Sequence, residues 1–144
     1  MTIATRPMSI ADREAAISLW LASEGVGVNE CDEPRPLAAY LARNPGMSFV
    51  ALDGEVLVGA VLGGTDGRRG YLHHLAVAAT HRGRGLGRAL ADHVLLALAA
   101  AGIARCHLFV YGDNTAGLAF WERGGWRLGT DLVIMSRATG PTGT

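Results

Sequence analysis

No stretch of this 144-residue chain is apolar for long enough to cross a membrane. The longest apolar run, residues 94–101, falls far short of the roughly 18 residues that a spanning helix requires. Residues 1–12 lack a signal-peptide core, because Arg6 and Asp12 bracket only a few apolar residues, so a cytoplasmic location is expected. Cysteine is scarce. Cys31 and Cys106 are far apart and make no metal-ligand spacing, which argues against a disulfide framework and a bound metal, and leaves free thiols. Neither sign of charge is in excess: 13 basic and 13 acidic residues leave no net field to draw the molecule to nucleic acid or an anionic membrane. There is no internal repeat, linker or low-complexity tract. The length suits one domain with a real core, expected over residues 1–138, and a small polar tail, 139–144, expected to be disordered.

What is present centres on residues 71–101. Residues 71–77 are apolar with Tyr and His interspersed and end on β-branched Val77, which predicts a strand. A basic loop follows, and then a helix in which Leu86, Leu90, Val94 and Leu98 recur every fourth residue along one face. Gly83, Gly85 and Gly87 stand where loop becomes helix. Without Cβ, their amides can approach a ligand closely and the backbone can take positive φ. The first amides of a helix have no internal partners and lie at the positive end of its dipole. With Arg82, Arg84 and Arg88 around the same point, this spacing predicts an anion site for phosphate or pyrophosphate. It is not a P-loop, which needs Gly-Lys-Ser/Thr at the helix start. A dinucleotide fingerprint also fails, because its last glycine would fall on Arg88 or Leu90.

The remaining chain reads in order. Residues 2–6 form a short strand, and Ser9 to Asp12 resembles a capping box opening a helix to about Ser23. Residues 29–33 form an acidic loop, and a second helix runs through Leu37, Tyr40 and Leu41 and stops before Pro45. Residues 48–52 and 55–63 form a hairpin across Asp53-Gly54, a preferred type I′ pair. Beyond the long helix come a strand at 105–111, a helix from about Thr115 to Arg123 capped by Asp113 or Asn114, and a closing pair of strands at 126–128 and 132–136. The order β-α-α-β-β-β-α-β-α-β-β demands a mixed α/β sheet of about seven strands, antiparallel at first and parallel across the long helix, with helices on both faces.

Arg82-x-x-Gly85-x-Gly87, following Leu75-Ala76-Val77, resembles the pyrophosphate loop of the GNAT superfamily of acyl-CoA-dependent N-acyltransferases. Asn114 to Trp126, with Phe120-Trp121-Glu122-Arg123-Gly124-Gly125-Trp126 at its end, is similar to the second signature of that superfamily. The resemblance covers nearly the whole chain, and the order of elements is the one it implies. It implies acetyl-CoA as cosubstrate and an amine acceptor, in a monomer or homodimer. Backbone groups of Leu75, Ala76 and Val77 would hold the pantetheine arm and polarise the acyl carbonyl, while the amides of Arg82, Gly83, Arg84, Gly85, Leu86, Gly87 and Arg88 would hold the pyrophosphate. Asn114, Phe120 and Trp121 would flank the cofactor, and Asn114 equally suits a simple N-cap.

Aligned on Leu75-Ala76-Val77, His73 and Tyr71 fall at the two positions that a catalytic histidine pair occupies in one branch of the superfamily. Strand alternation puts Tyr71, His73, Leu75 and Val77 on one face and Leu72, His74 and Ala76 on the other, which favours His73 over His74 as general base. The tyrosine that usually acts as acid is replaced by Trp121, whose indole cannot protonate a thiolate. That leaves Tyr111, Tyr71 or a water as acid, and Trp121 on the pantetheine, in the acceptor pocket or in the core. Glu30, Asp32 and Glu33 are either a solvated loop or an attraction for a cationic amine. The expected activity is acetyl transfer from acetyl-CoA to a primary amine of a small molecule or peptide, by direct attack in a ternary complex. The rival is a CoA-binding sensor without catalysis.

Overall fold

The hairpin expected around Asp53 seeds the sheet. In the computed structural model, which describes residues 2–140, Asp53 pairs with Val56, so the turn residues are Gly54 and Glu55, one later than expected. Gly54 takes φ 61° and Glu55 does not follow it to positive φ, which is the type II′ arrangement rather than type I′. Around this hairpin the strands lie side by side in chain order: β1 (Ile3–Pro7), β2 (Phe49–Asp53), β3 (Val56–Thr65), β4 (Gly70–Val77) and β5 (Cys106–Leu108). The first four are antiparallel and β5 is parallel to β4, as the crossover requires.

The helices are α1 (Arg13–Leu21), α2 (Pro34–Arg43), α3 (Leu86–Ala100) and α4 (Thr115–Arg123). They sandwich the sheet. On one face Ala16 and Trp20 of α1 and Leu37 of α2 bury against Val50, Ala60, Leu62 and Ala76. On the other, Leu90, Val94 and Leu98 of α3 bury against Ala51, Val58, Val61 and Leu72. This is the stripe that the four-residue spacing predicted, with Leu86 packed at its edge. The helix sits close because β3 is bare beneath it: a Cβ on Gly63 would strike Val94 at 2.7 Å and the carbonyl of Met47.

The expectation of about seven strands is not met. Among the described residues the sheet has five, the strand expected at 105–111 is confined to Cys106–Leu108, and residues 126–128 and 132–136 form no strand. Strand propensity expresses how well a residue fits a pleated, half-buried surface. The last apolar run meets no such surface: Leu132, Val133, Ile134 and Met135 are 68–91% exposed. Of the tail expected to be disordered, residues 141–144 lie outside the described residues.

Candidate active site

Two departures from regular pairing shape the C-terminal half of β4. The first is a bulge. Leu62 of β3 faces His73 and Ala60 faces Ala76, so His74 and Leu75 together span the single residue Val61. His74 takes φ 57°, the one non-glycine residue at positive φ among the described residues. The extra residue resets the alternation. Leu72 before the bulge and Leu75 and Val77 after it pack toward α3, while Ala76 packs toward α1. Both histidines turn to the α1 and α2 face: Tyr40 meets the His73 ring at 6.4 Å, and Trp20 meets the His74 ring edge-on at 5.0 Å. The expected placement of His74 on the opposite face is therefore corrected, because alternation does not survive a bulge.

The second departure is a splay. Parallel pairing of β4 with β5 stops at Leu72 and Leu108, and beyond it the two segments part around a cleft of about 360 Å³. His73, His74 and Leu75 line one side, Phe109 and Tyr111 the other, and Trp121 reaches in from α4. A second cleft, of about 430 Å³, lies between β4 and α2, where Leu37, Tyr40 and Leu62 form an apolar wall beside Asp32. His73 and His74 line both clefts.

The glycine-rich loop follows the end of β4. Gly83 and Gly85 both hold φ 77°, and Gly85 is the N-cap of α3. The first intrahelical bond is donated by the Ala89 amide to the Gly85 carbonyl, so the amides of Leu86, Gly87 and Arg88 have no partner within the helix. The loop is braced. Arg82 Nε donates to the Val77 carbonyl (2.9 Å), and the His81 ring joins Asp53 of the hairpin (2.9 Å). Gly87 lies against Phe120, which would stand 3.4 Å from a Cβ there, and Phe120 meets Trp121 edge-on. The loop is thus connected through one aromatic pair to the splay.

The other expected site residues are dispersed around this frame. Leu75 lines the splay, while Ala76 is buried and pairs with Ala60. Asn114 is the N-cap of α4, with its Oδ1 accepting from the Gly117 amide (3.0 Å). Tyr71 is stacked on His73 with centroids 6.3 Å apart, and neither cleft wall includes it. In the acidic loop Glu30 and Glu33 are exposed, whereas Asp32 is 2% exposed.

The arrangement missed by strand alternation is the contact of His74 with Asp32, Nε2 to Oδ2 at 2.8 Å. Adjacent histidines in one strand were a signal that both could not obey alternation and still share a site. The Asn29-x-x-Asp32 spacing was a second: the Asn29 amide donates to Asp32 Oδ2 (3.0 Å), which holds the carboxylate inward. Burial lowers the pKa of His73 below the ordinary 6.5, helped by neighbouring His74 and opposed by Asp32. Burial also pushes the Tyr40 phenol up to about 12 and the Cys106 thiol up to about 11, so neither ionises near neutrality.

A sheet splayed beside a braced, glycine-rich helix start defines a class of group-transfer enzyme, and the comparisons give its family. The model of the acetyltransferase (GNAT) family matches residues 13–126, and the chain belongs to this family. An acetyltransferase of Pectobacterium atrosepticum is 36% identical over 120 residues, covering 78% of this chain and 79% of that protein. One from Sodalis glossinidius is 29% identical over 133 residues, covering 88% of each. The fold is shared with Ard1 of Thermoplasma volcanium (TM-score 0.79, 19% identity, 90% of this chain and 86% of that one). It is also shared with the PaiA N-acetyltransferase of Thermoplasma acidophilum in complex with coenzyme A (TM-score 0.77, 19% identity, 90% and 92%).

Proposed function

We propose that this protein transfers the acetyl group of acetyl-CoA to a primary amine of a small molecule or peptide, by direct attack within a ternary complex in the cytoplasm. The observation that carries the reading is the splay between β4 and β5, aligned through Trp121 and Phe120 with the unpartnered amides at the start of α3.

The residues present fit the cofactor. Gly83 and Gly85 hold a backbone conformation that side chains resist, and the amides of Leu86, Gly87 and Arg88 suit a pyrophosphate. Asn114, Phe120 and Trp121 form the α4 side, and Leu75, Ala76 and Val77 the β4 side. Bound acetyl-CoA supplies an activated acyl group as a thioester. The protein's own residues orient the amine, accept its proton and return one to the departing sulfur. The proton acceptor lies in the His73-His74 step of β4, with Tyr71 stacked behind His73. Tyr111 lines the splay and is the phenol suited to protonate the thiolate, a task closed to Trp121.

The test is thiol release from acetyl-CoA across a panel of primary amines. Release that depends on the amine, with a matching acetylated product, supports the reading. CoA binding with no release for any amine supports the sensor reading instead.

A further inference from the structure

We infer that His74, held by Asp32, takes the proton of the acceptor, and that the cleft between β4 and α2 receives a primary amine with a single positive charge on an apolar body. This rests on the acetyl-transfer reading and assigns its acceptor side.

The bulge spends a strained conformation on one side chain. A non-glycine residue in the left-handed region is strained, and such strain persists where its surroundings over-determine it. Here they do. Asp32 Oδ2 stands 2.8 Å from His74 Nε2, and Trp20 closes the ring's flank. Asp32 is fixed in turn by the Asn29 amide and by Arg13, whose Nε donates to the Asp32 carbonyl (2.8 Å). An ionised carboxyl only accepts hydrogen bonds, so the proton of neutral His74 sits on Nε2 and Nδ1 keeps its lone pair. The same pairing stabilises the imidazolium once Nδ1 has accepted a proton.

His73 has no such support. It lies among the rings of Tyr71, Phe109 and Tyr40 at 6.1–6.4 Å and has no hydrogen-bond partner among the described residues. Both histidines line the two clefts, and only one is paired with a carboxylate. The ionisable groups around the pair are Asp32 and Cys31 from the loop, Arg13 from α1, Tyr40 and Arg43 from α2, Tyr111 beyond β5, and His73 beside it.

The cleft describes its ligand. Pro36, Leu37, Ala39, Tyr40 and Leu62 offer apolar or aromatic surface, with Asp32 and His74 at one point of the wall. Arg43 also lines it and has no ion-pair partner among the described residues. It disfavours a second cationic group. The acceptor enters as an ammonium and gives one proton to His74 Nδ1, which returns it to solvent. The neutral nitrogen then attacks the thioester carbonyl carbon: the N–C bond forms and the C–S bond breaks. As the amide forms, the second nitrogen proton passes to His74 Nδ1, free again, and from there to solvent, and the thiolate takes a proton from Tyr111, which solvent restores.

The test compares His74→Gln, Asp32→Asn and His73→Gln for turnover, with CoA affinity measured by calorimetry. His74→Gln is expected to lose ~10²-fold or more in kcat at nearly unchanged CoA affinity. Asp32→Asn is expected to lose about tenfold, and His73→Gln less than either. His74→Gly keeps the positive φ without strain, and added imidazole should restore part of its turnover. In the ligand-free protein, histidine ¹⁵N spectra should show the Nε2-protonated tautomer for His74, and a mixture of tautomers in Asp32→Asn. Hexylamine should exceed 1,6-diaminohexane in kcat/KM, and Arg43→Ala should narrow the gap. A larger loss in His73→Gln than in His74→Gln, an Nδ1-protonated His74, or preference for the diamine would overturn the inference while leaving acetyl transfer in place. CoA binding without acetylation of any amine by the unaltered protein overturns the transfer reading and this inference together.

Discussion

The end of β4 and its middle hold two different devices within a few residues of each other. At the end, the glycine-rich loop works through backbone: Gly83 and Gly85 at positive φ, and helix amides without internal partners. In the middle, the bulge works through side chains: His74 is forced to the left-handed region and tethered to a buried carboxylate. One suits an anion by dipole and close approach, the other is suited to exchange a proton through imidazole. The difference teaches that a positive φ has two uses. At Gly83 and Gly85 it leaves open space beside the backbone, and at His74 it re-aims a side chain at a cost.

That contrast can be broken from either side. The largest expected effect is a separation of kinetic constants. His74→Gln should depress kcat and spare CoA binding, while Gly85→Val should weaken CoA binding and spare kcat at saturating acetyl-CoA, as checked by steady-state rates on folded variants. Next is the frame beneath both devices. Gly63→Ala places a methyl group against Val94 and the Met47 carbonyl, and overpacking of that kind costs about 1–3 kcal/mol. A thermal melt should show the loss, with CoA affinity retained at low temperature.

A smaller effect follows from His73. Its folded pKa lies below the ordinary 6.5, so folding favours the neutral ring. The associated stability is fully present above 6.5 and is lost as pH falls from 6.5 through the lowered value. Denaturant midpoints across that window should decline less steeply in His73→Asn than in the unaltered chain. The smallest signal is optical. In a Trp20→Phe, Trp126→Phe background, CoA should change the emission of Trp121 and protect it from a quencher, because Trp121 lines the splay.

The loop was legible in the sequence because its information is local: glycine spacing, flanking arginines and a four-residue apolar repeat are readable without knowing any partner strand. The buried face of α3 followed for the same reason, as did the mixed sheet with its crossover. The bulge was not legible, since the pairing of His73 with Leu62 and Ala76 with Ala60 is a property of two strands together. Alternation applied to β4 alone therefore sent His74 to the wrong face and gave Asp32 no histidine partner. The C-terminal segment failed differently. Leu132 to Met135 has strand-forming residues, but β5 offers only three residues of pairing to β4, and among the described residues the run stays largely uncovered, with Ile134 alone at the rim of the splay. The hairpin at Asp53 was found one residue early, because Gly54 leads the turn instead of closing it.

Acetyl-CoA is proposed to be held on the backbone of the loop that follows β4. Calorimetric titration of CoA into the unaltered protein and into Gly85→Val measures it directly, with circular dichroism confirming that both are folded. A valine at φ 77° carries roughly 1–2 kcal/mol of strain and a side chain where the ligand approaches, so affinity should fall about tenfold or more. Equal affinity in two folded proteins would contradict the placement of the cofactor.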